Sequence, residues 1–182
     1  AASDVNLTNA PFTAGNDVFI ATGAGGASDV NLSGSPVTAG RDVFIASGAG
    51  VTSDVNIGTG SAVNATTGSA TIASGSLINS DVVINSNVTA ATFVDVTSAV
   101  FFGGSERIEI GSGVNIQGGT GNGSGDGVIF TSDTVNLGAN SNVNTTASSI
   151  LLEGTNRLNV GFSSGAQLSS VGGNIAFNDS SA

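Results

Sequence analysis

Along residues 4–7 apolar and polar positions alternate one by one, so that Val5 and Leu7 fall on one face of an extended chain and Asp4 and Asn6 on the other. The alternation then restarts. SDVNL at 3–7 returns as SDVNL at 28–32, SDVNI at 53–57 and SDVVI at 80–84, and in looser form as ERIEI at 106–110, DTVNL at 133–137 and NRLNV at 156–160. A second, shorter station follows each copy, centred on Phe12, Val37, Val63, Val88, Val114, Val143 and Leu168. A third alternating station reads DVFIA at 17–21 and 42–46 and is echoed by ATIAS at 70–74, VDVTS at 94–98, GVIFT at 127–131, SILLE at 149–153 and NIAFN at 174–178.

Between stations lie clusters of Gly, Ser, Asn and Pro, the chemistry of turns. No stretch carries apolar residues at helical spacing, and Gly, Ser, Thr and Asn are poor helix formers. The pattern predicts an all-β chain: a single-domain parallel β-helix over 1–182, about seven repeats of some 25 residues with three short strands per rung. Stacking would place Val5, Val30, Val55, Val82, Ile108, Val135 and Leu158 in one internal column. A β-sandwich also has alternating strands, but it supplies no reason for the register to restart every 25 residues.

Composition narrows the function classes. The chain has 28 Gly and no Cys, Met, Trp, Tyr or His, and Arg41, Arg107 and Arg157 are its only basic residues against thirteen acids, a net charge of −10. Nucleic-acid binding needs a basic stripe to displace counterions, so no nucleic-acid partner is expected. An anionic membrane surface would repel such a chain, and no apolar run approaches a bilayer span, so no membrane insertion is expected. Without His, Cys, Lys or Tyr the usual nucleophile and base pairs cannot be built, which predicts no enzyme and no catalytic residues. The small residues at 1–3 fit a mature end left by signal cleavage, and with it an extracellular or cell-surface location.

Stacking also turns repeated polar positions into ladders. Asp4, Asp29, Asp54 and Asp81 would follow one another up the rod, continued by Arg107, Asp133 (or Thr134) and Arg157, a charge ladder with two arginines near its C-terminal end. Such aspartates either cap strand starts through backbone hydrogen bonds or share Ca²⁺, so no cofactor is required and calcium is the one alternative. The segment GGTGNGSGDGVIF at 118–130 resembles the Gly- and Asp-rich calcium-binding nonapeptide of bacterial toxins and proteases, which makes Asp126 the candidate metal ligand, although its Asp is displaced and no second copy follows.

In the third station, Phe19 and Phe44 would point outward one above the other, a candidate lateral interface. The first repeat is among the best copies and the last runs close to the terminus, so the terminal rungs carry Val5 and Leu7 at one end and Ile175 and Phe177 at the other, a candidate axial interface. FTAGNDVFIATGAG and VTAGRDVFIASGAG resemble the repeats of filamentous-haemagglutinin-type adhesins of the two-partner secretion class. The resemblance is clear over 13–25 and 38–50 and implies a right-handed parallel β-helix at a bacterial surface with a role in adhesion or matrix. The expectation is a secreted structural subunit whose partner is itself, polymerising head to tail. The alternatives are a β-helical adhesin segment with a surface glycan or protein ligand, and an ice-binding protein, for which ATG, ASG and ASG at 21–23, 46–48 and 73–75 begin a hydroxyl ladder.

Overall fold

The computed structural model describes residues 2–179, and within them the chain is a parallel β-solenoid of seven rungs without helix. Three sheets run its length. Face A carries the first station of every rung: β1 (Val5–Thr8), β4 (Val30–Ser33), the end of β6 (Val43–Ile57), the end of β8 (Ala70–Ile84), β11 (Ser105–Ile110), β14 (Thr134–Leu137) and β16 (Asn159–Phe162). Face B stacks β2 (Phe12–Ala14), β5 (Val37–Ala39), β7 (Val63–Ala65), β9 (Val88–Ala90), β12 (Asn115–Gly118) and the starts of β15 (Asn142–Gly154) and β17 (Gln167–Asp179). Face C takes β3 (Val18–Ala21), the starts of β6 and β8, β10 (Val94–Val100), β13 (Asp126–Thr131) and the ends of β15 and β17.

Every pairing is parallel and links equivalent stations one rung apart. On face A the register runs Val5, Val30, Val55, Val82, Ile108, Val135, Val160, and the second inward column runs Leu7, Leu32, Ile57, Ile84, Ile110, Leu137, Phe162. The seventh member is therefore Val160, not Leu158. The last copy lies two residues later than its alternation proposes, because 155–158 is taken up by a turn wound around Asp133. On face B the fifth member is Ile116 rather than Val114, which is buried at the corner before it.

The inward columns make one continuous core. Val30, Ile45, Val55, Ile72, Val82, Val96, Ile108, Phe130 and Leu152 are all fully buried, and each such side chain contributes about 1.5–3 kcal/mol when removed from water. The corners are built from inward serines. At the A-to-B corner Ser35 Oγ accepts the Ala10 N–H (3.1 Å) and donates to the Ser33 carbonyl (3.0 Å), while Ser61 Oγ and Ser86 Oγ accept the N–H of Ser35 and Ser61 (3.0 Å each). A small hydroxyl that both donates and accepts satisfies the backbone groups that a turning strand cannot pair.

Candidate functional site

The two ends of the rod differ from its middle in what they leave uncovered. Among the described strands β1, β2 and β3 pair only with rung two, and β16 and β17 only with rung six. Their inward side chains continue the core columns without a rung beyond them. Ile175 is 40% exposed and Phe177 51%, whereas Ile150 and Leu152, directly beneath them in the same columns, are fully buried. At the other end Val5, Leu7 and Phe12 are half-buried and pack on the core from one side. Among the described residues both ends thus present apolar side chains together with an open strand edge.

The aspartate column is a hydrogen-bond device. Asp4 Oδ1 accepts the Asp29 N–H (3.4 Å), Asp29 Oδ1 the Asp54 N–H (3.1 Å) and Asp54 Oδ1 the Asp81 N–H (3.1 Å). Asp17 does the same for Asp42, and Asp42 for Ser69. Partial burial raises the pKa of the Asp54 carboxyl above its ordinary value, and the neighbouring charge of Asp81 adds to the rise. Arg107 stands next in register and closes the run, its guanidinium donating to Asp81 (2.9 Å) and Glu109 (2.8 Å). On face C Arg41 pairs with both Asp17 and Asp42, which precede the strands of rungs one and two. Beside these carboxylates the asparagines form their own ladder, Asn31 donating to Asn6 (3.0 Å) and Asn56 to Asn31 (2.8 Å).

Asp133 and Arg157 lie outside this ladder. The pairing of Ile108 with Val135 puts Thr134 beyond Arg107, and Thr134 pairs with Asn159. Asp133 instead gathers the turn before β16, its Oδ1 accepting from Thr155 Oγ1 (2.9 Å) and from the N–H of Asn156 (2.8 Å) and Arg157 (3.3 Å). Burial acts to raise its pKa, but these donors outweigh it and hold the carboxyl below its ordinary value. Arg157 forms none of the ion pairs among the described residues.

Sequence reasoning missed Glu106. It occupies the inward corner position held by Ser53 and Ser80 in the rungs before it and is 2% exposed. Its carboxylate accepts the Val100 N–H (2.9 Å) and the hydroxyl of Thr155 (2.6 Å), which lies at the same corner two rungs on. The signal was its alignment under Ser80. Also missed was a ridge of exposed apolar residues at the C-to-A corner, Val51, Leu77, Ile78, Phe101 and Phe102, where the alternation breaks off.

The candidate calcium loop closes on itself. Asn122 Oδ1 accepts the N–H of Ser124 (2.8 Å) and Asp126 (3.0 Å), and the described residues hold no group of three or more acidic, His or Cys side chains suited to a metal. The hydroxyls of the ATG and ASG series turn into the corner: Ser47 and Ser74 are buried and bonded to each other (2.9 Å), so they present no flat outer ladder. Phe19 and Phe44 do stand outward, their rings stacked at 4.8 Å and inclined by 7°, with Phe19 72% exposed.

Compared with known proteins, the chain matches no family model, no curated protein and no solved structure. Among the described residues no helix is long and apolar enough to cross a membrane.

Proposed function

We propose that the protein is a secreted structural subunit that assembles head to tail into an extracellular fibre, rung seven of one molecule pairing with rung one of the next. The observation that carries this reading lies at the last described rung, where Ile175 and Phe177 are exposed in columns whose members in rungs two to six are buried. A second copy offers the complement: Val5 and Leu7 over Val160 and Phe162, Phe12 over Leu168, Val18 and Ile20 over Ile175 and Phe177. The contact is heterologous and does not close on itself, and a repeated contact of that kind makes a filament. An extracellular matrix role follows from the resemblance of 13–25 and 38–50 to adhesin repeats.

That same resemblance favours the second reading, a rod-like segment of a surface adhesin in which neighbouring rungs of a longer chain cover the two ends and a glycan or protein is the ligand. Negative-stain electron microscopy over a concentration series, with and without a calcium chelator, separates the two. Filaments of uniform width that lengthen with concentration support the fibre, and their loss in chelator would assign the acidic column to a metal-dependent joint. Isolated rods on the order of 30 Å long at every concentration, the length of seven rungs, would overturn the fibre and leave the adhesin segment.

A further inference from the structure

Face C carries two outward columns. One runs Phe19, Phe44, Thr71, Asp95, Ile129, Leu151, Ala176, and the other Ala21, Ala46, Ala73, Thr97, Thr131, Glu153, Asn178. In a single molecule the apolar members of the first column are split, two at the N-terminal end and three at the C-terminal end, with Thr71 and Asp95 between. Asp95 is part of the division: burial raises its pKa, and its carboxylate accepts the Thr97 hydroxyl (3.1 Å). The outward columns of face A hold Asp and Asn over most of their length, and the central outward column of face B reads Thr13, Thr38, Asn64, Thr89, Gln117, Asn144, Ser169.

Head-to-tail stacking rearranges this column. Ala176 of one molecule comes to lie next to Phe19 of the following one, so that Ile129, Leu151, Ala176, Phe19 and Phe44 become consecutive across the joint, widened on the second molecule's side by Ala21, Ala46 and Ala73. We propose that this strip, which exists only in the assembled fibre, is a lateral docking surface for a second fibre of the same chain, and that it joins fibres side by side into two-fibre bundles. The inference rests on the axial assembly proposed above.

The occupant follows from area and period. Five rungs cover about 20 Å and a four-residue station about 13 Å, so one strip offers roughly 260 Å². Two such strips face to face bury about 520 Å², less than half of the roughly 1,200 Å² at the lower limit of a stable specific complex. A single strip therefore holds no monomeric partner firmly. Along a fibre, however, the strip recurs every seven rungs, about every 34 Å. A partner with that same period engages all the strips at once and gains the avidity of multivalent attachment. A second fibre of this chain has that period by construction. Repulsion between subunits of net charge −10 opposes the contact and is screened by salt.

The test is negative-stain microscopy with low-speed sedimentation of wild-type protein and of the variants Phe19→Thr/Phe44→Thr and Leu151→Thr, at low and at high salt. Threonine already occupies this column at position 71, so it suits the strand. Wild type is expected to form single fibres at low salt and bundles at high salt. The double variant should keep single fibres of unchanged length while its sedimenting fraction falls on the order of tenfold. Leu151→Thr, at the opposite end of the monomer, should also weaken bundling, which an interface confined to the two phenylalanines would not show. Single wild-type fibres that never bundle, or bundles indifferent to both variants, would overturn the lateral strip alone. No fibre of any width would overturn the axial joint and the strip with it.

Discussion

Four aspartates in successive rungs repel one another, yet each of the first three accepts the backbone N–H of the next, and this accounts for their place before the face A strand segments of rungs one to four. The acceptor oxygen is what the position requires, and the charge is an added cost. Asp54→Asn keeps the acceptor and removes the charge. Since the folded-state pKa of Asp54 lies above its unfolded value, ionised Asp54 lowers stability in full above the folded pKa, and this cost fades as pH falls from the folded to the unfolded value. Asp54→Asn is expected to stabilise the protein by about 0.5 kcal/mol at pH 7, with the gain vanishing near pH 3; urea melts at both pH values check it, and a loss at pH 7 would refute it. Asp133 has the opposite sign. Its pKa is held down, so the stability from its turn is present at neutral pH and lost as pH falls through the folded value. The aspartates of the SDV copies were legible because each opens an alternating run. The role of Asp133 is not legible, since its partners are donors of a turn two residues longer than the pattern allows, and neither is that of Glu106, which takes a corner that serine fills elsewhere.

At the scale of the strand, alternation revealed which residues face inward and the 25-residue period revealed what they stack upon, so the fold class and all three faces could be read before the structure. Corners carry no alternation, so neither the two-residue delay of the last copy nor the ridge around Phe101 and Phe102 is legible there. Two glycines at this corner show what the sequence hides. A Cβ on Gly104 would land on the carbonyl of Ile78 in the rung beneath, whereas a Cβ on Gly75 meets nothing within 4 Å. Gly104→Ala must push rungs four and five apart and is expected to destabilise by about 3 kcal/mol. Gly75→Ala only restricts the unfolded chain and should stabilise by about 0.4–1 kcal/mol. Thermal melts of the two variants should shift in opposite directions, and equal shifts would contradict the close seam at Gly104.

For the molecule as a whole, a parallel solenoid has two ends that are not alike, and the proposed joint uses one of each. That asymmetry is open to a complementation experiment. Leu7→Lys places a charge on the N-terminal core column and leaves the C-terminal end intact, while Phe177→Lys does the reverse. Either charge would be buried unpaired within a joint, which costs several kcal/mol and should block it. Each variant alone is expected to remain monomeric, because every joint needs one end of each kind. Mixed in equal amounts, the intact C-terminal end of Leu7→Lys can receive the intact N-terminal end of Phe177→Lys, once and no more. Sedimentation velocity should then show a species of twice the subunit mass and no filament. An end-to-end contact between like ends would behave differently: each variant would dimerise by itself through its unaltered end, and mixing would add nothing. Monomers throughout, both in the mixture and with the wild-type protein, would mean that neither end of the rod recognises another copy.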